Sequence, residues 1–167
     1  MLKKIIIDTS PIIFLSKINY LNLLNKLFFE KITIPQSPID ELYRYKIPAS
    51  ENLLIQKFLK NNQVVNTIEK KINSTSLSDI DNEILTHAIK NTYDLIITDD
   101  NHIRKIAAHE KILAIGTLGV LIKLIEKKIL KADIVKQEIN NLIEYHGLRI
   151  SLDVYKKVYE HIKIYEE

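Results

Sequence analysis

Short runs of β-branched residues, each followed within a few positions by a helical pattern, constrain this chain's fold more than any other feature. Lys4 to Asp8 reads as a buried strand, with Ile5-Ile6-Ile7 set between a basic edge and a carboxylate. Thr9-Ser10-Pro11 follows, where Ser10 suits a helix N-cap and Pro11 the first helical position. Ile12, Leu15, Ile18, Leu21, Leu24 and Phe28 then mark one helix, or two with a break near Asn19. Lys31 to Ile34 is a second strand closed by Pro35, and Ser37-Pro38 repeats the cap-then-proline signal.

The alternation continues. A helix from about Ser50 to Lys60 precedes a short strand at Gln63 to Asn66, and the polar stretch Thr67 to Ser78 reads as a loop. A helix from Ser78 to about Asn91 leads to a strand at Leu95 to Thr98, and Asp100 begins another helix. Ile112 to Ile115 is a further strand ended by Gly116, before helices at roughly Leu118 to Lys128, Ala132 to Tyr145 and Ser151 to Tyr165. Strands that alternate with helices pair in parallel and carry helices on both faces. No linker or repeat interrupts the pattern, so residues 1–167 are expected to form one α/β domain with a helical C-terminal end.

Composition excludes more than it assigns. The 167 residues suffice for a core without covalent staples. There are no cysteines, which removes disulfides, thiolate zinc sites and a cysteine nucleophile. The apolar run of the N-terminus stops at Asp8, far short of a secretory segment, and no stretch approaches a membrane span. A cytoplasmic protein is expected. Lys plus Arg number 24 against 21 Asp plus Glu, and a net charge of +3 is too small to argue nucleic-acid binding by itself.

Sites in open parallel sheets form outside the carboxyl ends of the strands. Here those ends carry acids: Asp8 after the first strand, and Asp99-Asp100 after the strand at Leu95 to Thr98. Glu41 and Asp81 lie near the starts of intervening helices. Crowded carboxylates raise one another's pKa, so such a cluster calls for a cation or shared protons. All-oxygen ligation favours Mg²⁺ or Mn²⁺ over zinc.

Each acid also has a plainer reading. Asp100 serves equally well as a helix N-cap, Asp99 as an outer ligand or a solvated acid, and Asp40 as a capping partner of Ser37. Asp81 precedes Ile84 and Leu85 by three and four residues, which places it on the buried stripe of its helix, although Ser78 offers it a capping box. Glu83 is expected to face away from that stripe, into solvent.

The five histidines show no metal-ligand spacing; His87 and His102, close in sequence to the acids, could contact substrate but are assigned first to packing or surface roles. With three glycines there is no phosphate-cradling loop, and Gly116-Thr117-Leu118-Gly119 reads as a tight turn. Arg104 and Lys105, one turn into the helix after Asp100, could meet a phosphate, or lie on a solvated face. The basic stretch of Lys123, Lys127, Lys128 and Lys131 is assigned to solubility.

These residues resemble the PIN-domain superfamily, specifically the VapC-like toxin ribonucleases and an uncharacterised PIN-related prokaryotic subfamily. The likeness is carried by Ile5-Ile6-Ile7-Asp8-Thr9-Ser10, by Pro35-Gln36-Ser37-Pro38-Ile39-Asp40-Glu41-Leu42, and by Leu77 to Ala88. Thr98-Asp99-Asp100, the run Asp100 to Ala107, Gly116-Thr117-Leu118-Gly119-Val120-Leu121 and Gly147-Leu148-Arg149-Ile150-Ser151 extend it over nearly the whole chain. The resemblance implies a three-layer α/β/α fold around a central parallel sheet. It implies metal ligation by Asp8, Asp81 and Asp100, with Glu41 binding directly or through water. It further implies ribonuclease activity, often as the toxin half of a toxin–antitoxin pair, and frequent homodimers.

The expected function is therefore Mg²⁺- or Mn²⁺-dependent hydrolysis of RNA. Asp8 is the expected central ligand, because a strand end holds it rigidly, with Thr9, Ser10 and Thr98 orienting waters or carboxylates around it. Two rivals stand beside this reading. One is a PIN-fold binding module that keeps the acids for a partner's basic segment. The other is a phosphatase-like hydrolase with Asp8 as nucleophile, which usually needs an acid two residues on, where this chain has Ser10.

Overall fold

In the computed structural model, residues 4–44, 46–66 and 77–166 are described. The elements run β1 (Ile5–Ile7), α1 (Thr9–Lys17), α2 (Leu23–Phe28), β2 (Ile32–Pro35), α3 (Gln36–Leu42), α4 (Ala49–Asn61) and β3 (Gln63–Val65). They continue as α5 (Asp79–Lys90), β4 (Leu95–Ile97), α6 (Asn101–His109), β5 (Leu113–Ile115), α7 (Thr117–Glu126), α8 (Ala132–Tyr145) and α9 (Leu152–Lys163). The expected loop at Thr67 to Ser78 lies for the most part outside the described residues.

The strands form one sheet in the order β3-β2-β1-β4-β5, and every pairing is parallel. Ile5, Ile6 and Ile7 pair with Leu95, Ile96 and Ile97, and Ile5 and Ile6 pair with Ile32 and Thr33. The period-two alternation of a strand divides the core between two faces. Ile5, Ile7, Leu95 and Ile97 join a large cluster with Leu15, Leu24, Phe58, Leu121, Val135 and Ile162. Ile6 and Ile96 face a smaller cluster built from Ile84, Leu85 and Ala88 of α5 and Ile103 and Ala107 of α6. The result is a three-layer α/β/α arrangement whose C-terminal helices α7, α8 and α9 thicken one layer. Among the described residues no helix is long and apolar enough to cross a membrane.

Strand order decides where a site can form. From β1 the chain moves outward to β2 and β3, then returns past β1 to β4 and β5 on the other side. The helices leaving β1 and β4 therefore diverge to opposite faces, opening a crevice above the carboxyl ends of those two strands.

Several helix starts differ from the sequence reading. The helix after β1 begins at Thr9 with Asp8 as its N-cap, so Ser10 is not the cap and Pro11 sits at the third helical position. Pro11 is harmless there, since the first turn's N–H groups have no partner within the helix. Likewise α3 begins at Gln36 behind Pro35, so Ser37 does not cap it. Asp40 is exposed and accepts a hydrogen bond from Gln36 Nε2 at 2.7 Å instead of pairing with Ser37. The break near Asn19 is real: α1 ends at Lys17, and Asn19 adopts φ +62°.

Asn19 is not alone. Phe29, Thr92, Lys111 and Lys128 also have left-handed backbones, at or just beyond the ends of α2, α5, α6 and α7. In that conformation the N–H groups of Tyr93, Ile112 and Ile129 reach back to the carbonyls of Ala88, Ala107 and Leu124. Gly147, after α8, has a left-handed backbone with φ +73°.

A polar hub that periodicity does not reveal anchors β2. Asn62 is buried after α4; its Oδ1 accepts from Ile32 N at 2.9 Å and from Asn25 Nδ2 at 2.8 Å. Its Nδ2 donates to the Phe58 carbonyl at 2.8 Å and to Asn25 Oδ1 at 3.1 Å. Asn62→Ala strips the partner from the buried Ile32 N–H and should cost about 2–4 kcal/mol. The expected result is a lower urea midpoint at unchanged m-value. A midpoint equal to that of the wild type would show that the hub is dispensable.

Candidate metal centre

Asp8 stands at the carboxyl end of β1, on the rim of the crevice. Its backbone N–H extends the β1–β4 ladder by donating to the Ile97 carbonyl at 2.9 Å. Its side chain is buried and held at both oxygens: Oδ1 accepts from Thr9 N at 2.6 Å, and Oδ2 from Thr98 Oγ1 at 2.7 Å. Burial pushes the carboxyl from 3.8 up to about 7. The hydrogen bonds from Thr98 and Thr9 pull it down, while the negative charges of Asp81 and Glu41 push it further up. Those charges identify Asp8, Glu41 and Asp81 as one electrostatic group.

Glu41, half-buried in the last turn of α3, joins the group through Thr9, whose hydroxyl donates to Glu41 Oε2 at 2.6 Å. Thr9 thus donates from its backbone to Asp8 and from its side chain to Glu41. Asp100 is connected through the backbone. Its N–H donates to Thr98 Oγ1 at 3.1 Å, the same hydroxyl that donates to Asp8. The Asp100 carboxylate caps α6, with Oδ1 accepting from His102 N at 2.6 Å and Ile103 N at 2.9 Å. Ser10 is half-buried in the first turn of α1.

Two acids differ from the sequence reading. Asp99 is neither solvated nor turned toward Asp8. Its Oδ1 accepts from Thr117 N at 2.7 Å and its Oδ2 from Thr117 Oγ1 at 2.6 Å, so it tethers the start of α7 to the end of β4. Burial pushes its pKa up, against the Thr117 hydrogen bonds and the Arg104 charge.

The second correction concerns α5. Glu83, expected in solvent, is fully buried and accepts a hydrogen bond from the Ser37 hydroxyl. Asp81, expected on the buried stripe, is half-buried and closes a capping box with Ser78 through its Oδ2. A stripe argument assumes one solvated face. Here Asn82 through Ala88 are all buried, because α5 packs against the sheet, α3 and α6 together.

The flanking cations and imidazoles fall into place around this geometry. Arg104 bonds to Asn101 and lies near Asp99, whereas Lys105 is exposed. His87 is a packing residue: its Nε2 meets the Asn66 carbonyl at 3.2 Å, and burial holds its pKa below 6.5. His102 is exposed.

The donor chemistry of Asp8, Glu41 and Asp81 suits a hard divalent cation, being all oxygen with a buried carboxyl that resists ionisation beside two like charges. In this conformation, among the described residues, no three His, Asp or Glu side chains converge to metal-holding distance. The fit is therefore one of donor type and electrostatics rather than of a preformed coordination sphere.

Two outcomes follow. Asp8 binds its proton more tightly folded than unfolded, so its contribution to stability is complete below about pH 3.8 and is lost as pH rises through about 7. In metal-free protein, the melting temperature of Asp8→Asn relative to wild type should therefore climb between pH 5 and 8, by at least ~3 °C. A pH-independent difference would contradict the burial of an ionisable Asp8. Gly116 is packed just as tightly: a Cβ there would lie 2.5 Å from Asp99 Oδ1 and 3.3 Å from the Thr98 carbonyl. Gly116→Ala should cost about 1–3 kcal/mol in urea unfolding, because the Asp99 carboxylate is pinned at both oxygens.

Comparison with known proteins agrees with this architecture. A family model described as PIN domain matches residues 4–163. Among solved structures, the fold is similar to a PilT N-terminus domain protein from the hyperthermophilic archaeon Sulfolobus solfataricus P2, at 14% identity and a TM-score of 0.51. That alignment covers 87% of this chain and 98% of the archaeal one, and at such low identity it speaks to fold alone. None of the curated proteins compared by sequence matches the chain. With the family pattern spanning residues 4–163 and the three-layer fold in place, this chain belongs to the PIN-domain family.

Proposed function

We propose that the chain is a metal-dependent endoribonuclease, with Asp8, Glu41 and Asp81 as its acidic centre and Asp100 at its edge. The observation that carries this reading is the buried Asp8 carboxyl at the sheet's switch point, under the charges of Asp81 and Glu41. Membership of a nuclease-type family supports it. Bound among these oxygens, Mg²⁺ or Mn²⁺ would neutralise charge on a phosphodiester and acidify an attacking water.

The protein's own residues prepare that step. Thr98 and Thr9 each fix one oxygen of the Asp8 carboxylate, and each oxygen keeps a further lone pair for a cation. Thr9 holds Glu41 within reach of the same region, and Ser10 adds a hydroxyl in the next position of α1. Asp100 has Oδ1 committed to capping, so any ligation by this residue falls to Oδ2. Asp99 is tethered through both oxygens to Thr117 at the start of α7, and we leave it outside the group formed by Asp8, Glu41 and Asp81. Arg104, which also bonds to Asn101, and the exposed Lys105 are the cations proposed to meet a flanking phosphate. The biological setting follows the family resemblance: a cytoplasmic toxin acting on RNA, restrained by an antitoxin protein and assembling as a homodimer.

The test is cleavage of an RNA panel with Mg²⁺ or Mn²⁺. Water attack with a 3′-oxygen leaving group gives 5′-phosphate and 3′-hydroxyl ends, and a deoxynucleotide at the cut site should not block it. Asp8→Asn should lower the rate at least ~10³-fold while the protein stays folded, and EDTA should stop the wild type. Cyclic-phosphate ends formed in EDTA, or full activity in a clean Asp8→Asn preparation, would sink this reading.

A further inference from the structure

Helix α3 is short, seven residues from Gln36 to Leu42, and no side chain caps its N-terminus. A helix of that length has little stability of its own and takes its position from what it touches. Two polar ties to neighbouring helices are seen among the described residues. Near its C-terminal end, Glu41 accepts from the Thr9 hydroxyl. In its first turn, the Ser37 hydroxyl donates to Glu83 of α5. Ser37 and Glu41 are four residues apart and so lie on the same side of the helix.

Glu83 is a costly choice for this contact. A carboxylate withdrawn fully from water destabilises the fold unless hydrogen bonds compensate it. A leucine would bury α5 against α3 without that cost. What the carboxylate adds is direction: a charge-assisted hydrogen bond has a defined length and angle, whereas apolar packing tolerates sliding. The bond joins the two helices whose acids, Glu41 and Asp81, both act on Asp8, and Glu83 sits only two residues beyond Asp81.

We infer that Glu83 is a positioning residue which, through the Ser37 hydroxyl, sets the spacing of Glu41 and Asp81 around Asp8 and thereby the affinity for a divalent cation. The inference rests on the metal-centre reading proposed above. It separates Glu83 from the ligands: its task is to hold α3 in register with α5.

Ser37 provides the test, because Ser37→Ala removes the tie yet leaves the Glu83 carboxylate in place. Wild type, Ser37→Ala and Ser37→Thr are compared in two measurements. One is Mn²⁺ affinity by titration calorimetry; the other is amide hydrogen exchange of α3 in metal-free protein. Ser37→Ala should weaken Mn²⁺ binding about tenfold (about 1.4 kcal/mol) and speed exchange in α3. Ser37→Thr keeps a hydroxyl and should restore both toward wild type. Wild-type affinity in Ser37→Ala would overturn the inference, whatever the exchange rates show. Weakened binding that Ser37→Thr does not recover would also overturn it, since bulk rather than the hydrogen bond would then matter. Absence of Mn²⁺ binding by the wild type itself would instead defeat the metal-centre reading, and the two failures are told apart by the protein in which they appear.

Discussion

The Thr98 hydroxyl donates to Asp8 Oδ2 and accepts from Asp100 N, and through one atom it ties the ends of the two central strands. Neither strand could hold its acid alone, because each is only three residues long. Their parallel register brings Ile7 opposite Ile97, so the next residues on each strand, Asp8 and Thr98, meet above the sheet. Thr98 is fully buried, which keeps water from competing for its hydroxyl. Thr9 repeats the device one residue past Asp8, with its N–H on Asp8 and its hydroxyl on Glu41. The acidic centre is thus a chain of hydroxyl relays built around a single buried carboxyl.

Much of this was legible in the sequence, for a physical reason. Three consecutive isoleucines bounded by a lysine and an acid fit a short strand covered on both faces, which puts the acid at a strand end. The same logic put Asp99-Asp100 at the end of the strand Leu95 to Thr98 and offered a helix cap as one role for Asp100. Strand–helix alternation carried the parallel sheet and its flanking layers. The positions that escaped are buried polar ones. Periodicity reports where apolar side chains recur, and it assigns any acid off the stripe to solvent. Glu83 lies on a helix enclosed on several sides, so no solvated face existed for it to occupy. Asp99 and Asn62 were illegible because their partners, Thr117, Asn25 and Ile32, lie 18 to 37 residues away along the chain. The one available hint was Gly116 directly before Thr117: a glycine in a strand-to-helix turn marks a close approach, here by the Asp99 carboxylate.

Three acids that look interchangeable in sequence therefore meet three different fates. Asp8 is buried with its charge opposed, Asp99 tethers the start of α7, and Asp100 caps α6. What separates them is the donors each carboxylate meets: Thr9 N and the Thr98 hydroxyl for Asp8, Thr117 N and hydroxyl for Asp99, and the first N–H groups of α6 for Asp100. Thr98 follows β4 and donates to Asp8, whereas Thr117 opens α7 and donates to Asp99.

The helix ends carry a different consequence. Asn19, Phe29, Thr92, Lys111 and Lys128 turn the chain in the left-handed region, where a side chain crowds its own carbonyl at about 1–2 kcal/mol per residue. With three glycines in 167 residues, the protein makes most of these turns from side chains poorly suited to them. The tertiary fold overrules local preference at one helix terminus after another. Such a chain has slack in its folding free energy that lies entirely outside its core and its acidic centre. Glycine at Thr92, Lys111 or Lys128 would release part of it without touching a buried contact of the site. Stability can therefore be raised at these helix ends without altering a residue of the acidic centre.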